Sequence, residues 1–314
     1  MENLRPRIEF YRQRSFSEKM NITFAFIREN WKPLLIYSFY VIMPICLIQA
    51  YALNSMLSAS FAAGTNATIA SSPFGSSFIN FATNYGVLMC CMMVGSGIMS
   101  ALIYAMMQTY AVRENRLQQV TLNDFKRLML KNIWKYFRLM LAIMFGFVLI
   151  ALFMSLLAAF VSSWTLAVTI PLFLLFCLAC IPLLMLVPTY IFERDITFTG
   201  AFKKAWKLGF ATLGGMLGLI IVLFFLTYVI QTISTIPYYL LFFIGNIMST
   251  LSESTMNQSV IYKFSIYLLG LIQAYGTYIA SSIGIIGLAF QYFHAREKVE
   301  GVTIESNISN FSNM

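Results

Sequence analysis

The groups able to do chemistry in this chain are few, and they lie where its apolar runs stop. The densest set is YIFERDITFTGAFKKAWKLG, Tyr190 to Gly209, which gathers Glu193, Arg194, Asp195, Lys203, Lys204 and Lys207. A guanidinium in such company suits oxyanion recognition, because its planar fork holds a phosphate or carboxylate bidentately. Nucleophilic and metal chemistry find less to work with. His294 is the sole histidine, so a histidine-based metal centre is excluded by count, and a Ser-His-Asp arrangement would have to borrow Asp195 or Asp124 from another loop. Cys46, Cys90, Cys91, Cys177 and Cys180 all fall in apolar runs. CLAC (177–180) has redox spacing, yet no charged neighbour is there to lower a thiol pKa, and its cysteines read as small buried residues. No catalytic residue, metal or cofactor is expected, and the chain does not read as an enzyme.

The elements that must position these groups are membrane spans. Of 314 residues, 59% are hydrophobic and 11% charged, against about a quarter charged in soluble domains. No Asp, Glu, Lys or Arg occurs from Pro33 to Val112 or from Leu139 to Phe192, and only Glu253 and Lys263 occur from Leu208 to Ala295. Each block has room for two spans of about 20 residues, broken by the loop signals Ser58 to Ser77, Ser162 to Thr165 and Met248 to Ser259. This predicts spans near 34–57, 84–112, 138–161, 165–191, 212–246 and 261–293. The fold class is an all-α integral membrane protein, a single membrane domain over 1–314.

Orientation follows from the basic residues, since short loops rich in Lys and Arg stay cytoplasmic. Seven lie in 1–32, seven in 113–138, four in 194–207 and two after the last span, which leaves Lys263 alone outside. Both termini are therefore expected in the cytoplasm, with no cleavable signal peptide ahead of the first span. The net charge of +9 is spread along one membrane face, which points to anionic lipid and away from nucleic acid. No charge is expected at the bilayer centre, an argument against ion- or proton-coupled transport. Gln49, Gln231 and Gln273 fall within spans, where they either bridge helices or line a polar path. A polar path would mark a transporter or lipid-handling channel for an apolar or zwitterionic substrate.

One joint recurs three times. Span exits read YAVRE (110–114), YIFERD (190–195) and YFHARE (292–297), and helix starts read RSFSEK (14–19), VTLNDF (120–125) and ITFTGAF (196–202). Ser15 with Glu18 and Thr121 with Asp124 have capping-box spacing, while Thr197 lacks the acid. The helices that follow carry apolar stripes: Phe16, Met20, Phe24, Ile27 and Trp31; Leu122, Phe125, Met129, Ile133 and Tyr136; Phe198, Phe202, Ala205 and Gly209. Such helices, basic on one side, are expected to lie in the membrane interface. The repeating unit is then an interfacial amphipathic helix plus a hairpin of spans, at 15–114, 120–195 and 197–297, with a short cytoplasmic tail at 298–314. Arg113, Arg194 and Arg296 recur at the joint, and with Lys203, Lys204 and Lys207 they are the candidate lipid-headgroup site.

AFKKAWKLG (201–209), following a span that ends VPTYIFERD (187–195), resembles the membrane domain attached to some glycerophosphodiester phosphodiesterases and its stand-alone bacterial six-span relatives, mostly of unknown function. The resemblance implies a multi-pass protein of the bacterial cytoplasmic (inner) membrane and brings no catalytic residues with it. The soluble phosphodiesterase barrel of fused members needs more than about 200 residues, and this chain has no room for it. Expected partners are membrane lipids, chiefly anionic, with a protein partner or a homo-oligomer left open.

Overall fold

The structure is a computed structural model that describes residues 7–65, 76–113, 116–117, 120–159, 180–193, 195–251 and 259–303. The predicted turn at Ser162 to Thr165, most of the fourth span, Cys177, Arg194 and the tail from residue 304 lie outside these residues.

Among the described residues all regular structure is helical: α1 (Phe16–Thr65), α2 (Ser76–Val112), α3 (Leu122–Ala159), a 3-10 turn (Ile181–Met185), α4 (Leu186–Phe192), α5 (Phe198–Ala211), α6 (Leu213–Leu251) and α7 (Val260–Glu300). Four of them, α1, α2, α6 and α7, are long and apolar enough to cross a membrane. Their starts are set locally. Ser15 N–H donates to Glu18 Oε2 at 2.6 Å and Glu18 N–H donates back to Ser15 Oγ at 3.3 Å. Thr121 N–H donates to Asp124 Oδ2 at 2.7 Å, and Gly200 N–H donates to Thr197 Oγ1 at 3.2 Å. Each bond satisfies a donor that the first helical turn would otherwise leave unpaired.

The expected division between interfacial helix and span is drawn differently in the three cases. In α1 it is a kink at Asn30 (φ −117°, ψ 20°), where the ring of Pro33 crowds the preceding turn and removes a backbone donor. Asn30 answers from its side chain, donating Nδ2–H to Phe26 O at 2.9 Å. No such break divides α3, which runs unbroken from Leu122 to Ala159. Only α5 is a separate helix, ended at Thr212.

The chain forms two compact units, one of Met1–Asn30, Ala101–Leu223 and Ile285–Met314, the other of Trp31–Ser100 and Phe224–Gly284. The first is centred on aromatic rings: Phe10, Phe26, Tyr110 and Phe290 meet with centroids 5.5 to 6.1 Å apart. The second packs Ala52, Leu53, Leu88, Tyr238, Phe242 and Ile266 into one buried cluster.

Candidate functional site

In the first unit, two exit tyrosines each donate to a carboxylate that a cation also holds. Tyr110 Oη donates to Glu29 Oε1 at 3.1 Å, and Arg116 Nη1 reaches the same oxygen at 2.8 Å. Tyr292 Oη donates to Glu193 Oε1 at 2.9 Å, where Lys204 Nζ stands at 2.7 Å and Arg296 Nη1 at 3.3 Å. Glu300 closes this second set, with Lys204 at 2.9 Å and Arg296 Nε at 2.8 Å. Arg296 also donates to Tyr11 Oη at 3.1 Å. Two cations thus meet two carboxylates, so the cluster is neutral.

Helix ends in the same unit are held by cations as well. Arg7 donates to the carbonyls of Tyr110 and Ala111 at the end of α2, at 3.0 and 2.6 Å. Lys135 donates to those of Tyr190, in the last turn of α4, and Glu193, just past its end, both at 2.9 Å. A cation there completes orphan carbonyls and opposes the negative end of the helix dipole. Burial, with Lys131 adding to it, pushes the Lys135 ammonium below its usual pKa. Lys19, also buried, donates to Gln291 Oε1 at 2.7 Å, and Gln291 donates on to Thr212 Oγ1 at 3.2 Å.

The predicted cations therefore fall into separate situations. Lys204 and Arg296 are brought together around Glu193 and Glu300. Arg113 is elsewhere, paired with Asp124 at 2.6 Å with its side chain 41% exposed. Lys203 and Lys207 are exposed on α5, and no described carboxylate lies within ion-pair distance of either. Arg194 lies outside the described residues.

The apolar stripe expected on α5 is divided. Ala201, Ala205, Leu208 and Gly209 are buried, whereas Phe198, Phe202, Trp206 and Phe210 are 38–47% exposed. The small residues let the helix settle closely on the 3-10 turn: a Cβ added at Gly209 would lie 2.6 Å from Pro182 Cα. The aromatics, four residues apart, meet along the outside, Phe202 stacked on Trp206 at 6.0 Å and Trp206 tilted against Phe210 at 4.8 Å. At 100° per residue, Lys203 and Lys207 stand beside them. In α1 the expected stripe is turned outward, with Phe16, Phe24 and Trp31 exposed while Lys19, Thr23, Phe26 and Asn30 are buried. In α3 it is turned inward, with Phe125, Met129 and Tyr136 buried.

The three glutamines belong to the second unit. Gln49 is buried and accepts from Tyr278 Oη at 2.6 Å. Gln273 is buried with Oε1 unpartnered, and Gln231 is half-buried. No group of acids, cysteines and histidine among the described residues could hold a metal ion. His294 is occupied, its Nδ1 accepting from Arg14 N–H at 3.0 Å.

No family model, curated protein or solved structure matches the chain.

Glu29, Glu193, Glu300, Lys19 and Lys135 were not among the expected site residues. Glu193 stands in the joint motif itself, but its partners come from α5 and α7, and no local spacing announces them.

Proposed function

We propose that this chain is a non-enzymatic membrane protein of six spans whose α5 lies amphipathically in the cytoplasmic headgroup layer and binds anionic lipid. The observation that carries the reading is the outer side of α5, where an exposed aromatic stripe runs beside Lys203 and Lys207. Aromatic rings of this kind sit at headgroup depth, and each unpaired lysine near an anionic surface contributes about 1 kcal/mol. Arg113, Lys204 and Arg296 have carboxylates of their own, so Lys203 and Lys207 supply the free charge.

Six spans combine the four long apolar helices with two more: the apolar second half of α3, and the run that ends in α4. The charge asymmetry supports cytoplasmic termini, and the resemblance of residues 187–209 supports a bacterial inner membrane. In this reading the joint is a topological anchor repeated three times, open to a protein partner or a second copy.

A chain keeping Trp206 as its sole tryptophan, with Trp31, Trp134 and Trp164 changed to Phe, tests it in phosphatidylglycerol vesicles. Lipids brominated near the glycerol should quench Trp206 and aqueous acrylamide should not; quenching by acrylamide alone would sink the reading.

A second reading, a transporter or lipid-handling channel, has one observation in its favour: the buried, unpartnered Oε1 of Gln273, a group that water or substrate would satisfy. Labelling of Gln273→Cys by a membrane-impermeant thiol reagent would support it, and complete protection would argue against it.

A further inference from the structure

Lys263 is the basic residue that the charge asymmetry leaves on the far side, and it stands in a cleft of the second unit that mixes polar and apolar side chains. The cleft, of about 520 Å³, lies between α1, α6 and α7 and is lined among others by Asn54, Ser55, Ser58, Asn246, Tyr262 and Lys263. Among the described residues its wall contains one cation and no carboxylate, and no described acid pairs with Lys263. Asn54 is oriented by Tyr238, whose hydroxyl donates to Asn54 Oδ1 at 2.6 Å. That leaves the amide N–H pair of Asn54, with the Ser55 and Ser58 hydroxyls, as uncharged partners.

Chemistry fixes the class of occupant. One ammonium without a carboxylate suits one negative charge, and neutral donors and acceptors around it suit hydroxyl groups. The neighbouring surface of α7 is apolar: Val260, Ile261 and Phe264 are 81%, 78% and 65% exposed. A free sugar phosphate has nothing to offer those side chains, but the acyl chains of a lipid do.

We propose that this cleft holds the headgroup of one anionic phospholipid, its phosphodiester at Lys263 and a glycerol-type headgroup against Asn54, Ser55 and Ser58. That the leaflet is the outer one rests on the sidedness proposed above; the site itself does not depend on α5.

Native mass spectrometry of the delipidated full chain in detergent, titrated with phosphatidylglycerol or phosphatidylcholine, tests it. One phosphatidylglycerol should bind first, about fivefold or more tighter than phosphatidylcholine. Lys263→Gln should abolish that preference and Lys263→Arg keep it, since Arg preserves the charge. Ser55→Ala with Ser58→Ala should weaken phosphatidylglycerol by about threefold, each hydrogen bond being modest. Lys203→Gln with Lys207→Gln should leave this first lipid in place, so failure at α5 is separable from failure here. Equal binding of the two lipids, or an unchanged preference in Lys263→Gln, overturns the proposal. Displacement of the lipid by millimolar glycerol phosphate overturns it too, because the occupant would then be a soluble anion.

Discussion

The two units hold their polar groups in different ways. In Met1–Asn30, Ala101–Leu223 and Ile285–Met314 ion pairs, held as Glu193 with Lys204 and Arg296 or as Glu29 with Arg116, stand beside neutral groups such as Asn30 and Gln291. In Trp31–Ser100 and Phe224–Gly284 the bonded pairs are neutral: Tyr278 donates to Gln49 at 2.6 Å and Tyr238 to Asn54 at 2.6 Å. Among the described residues this second unit contains no ion pair. An ion loses several kcal/mol on leaving water even when paired, whereas a hydroxyl bonded to an amide loses little. The paired ions accordingly keep partial exposure, each side chain 13–21% exposed, and tyrosine–amide bonds stand in the second unit.

The widest separation between the units should come from deleting a single partner. Glu193→Ala leaves Lys204 and Arg296, each about one-fifth exposed, sharing Glu300 alone, and should cost about 3 kcal/mol in detergent unfolding. Tyr278→Phe in the second unit should cost about 1 kcal/mol, the worth of one neutral hydrogen bond. Equal losses would mean that the ion cluster is no more than a surface network.

Close approach distinguishes the units next. At Gly209 an added Cβ meets Pro182 Cα, a backbone atom that cannot yield. At Gly95 it meets the hydroxyl end of the Tyr278 ring, which can swing aside but then releases Gln49. Gly209→Ala should therefore destabilise by about 2 kcal/mol and Gly95→Ala by nearer 1 kcal/mol. Thermal unfolding followed by size exclusion reads both, and the reverse order would place the tighter packing in the second unit.

What the sequence made legible is what is local. Thr197 caps α5 although the acid of a capping box is missing, since a hydroxyl three residues before Gly200 N–H suffices. The long apolar helices were equally plain, because hydropathy needs only neighbours along the chain. Two things were not legible. Tyr292 finds Glu193 across 99 positions, a choice made by tertiary packing. The outward stripe of α1 could not be told from the inward stripe of α3, since lipid and protein core accept the same side chains. For the same reason the three glutamines could be placed within spans but not assigned partners.

Smaller again is the cap itself. Thr197→Ala removes one acceptor at the start of α5 and should cost about 1 kcal/mol. Its local readout is faster amide exchange at Gly200, with the amides around Glu193 unchanged. Loss of protection at both places would mean that α5 folds as one body with the ion cluster.

The least effect is expected from the acid at the first joint. Hydrogen bonds from Thr121 hold the Asp124 carboxyl below its usual 3.8, and Arg113 assists. A carboxyl held low in the folded state adds stability that is complete above its unfolded pKa and lost as pH falls through the folded one. Protection of the first amides of α3 should therefore be flat near neutrality and decline only below about pH 4, and Asp124→Asn should remove that decline. Arg113→Gln should change it little, because a half-exposed pair is screened by water and salt. A larger effect of Arg113 than of Asp124 would show that this joint, too, depends on an ion pair, and would extend the character of the Glu193 cluster to the exposed edge of its unit.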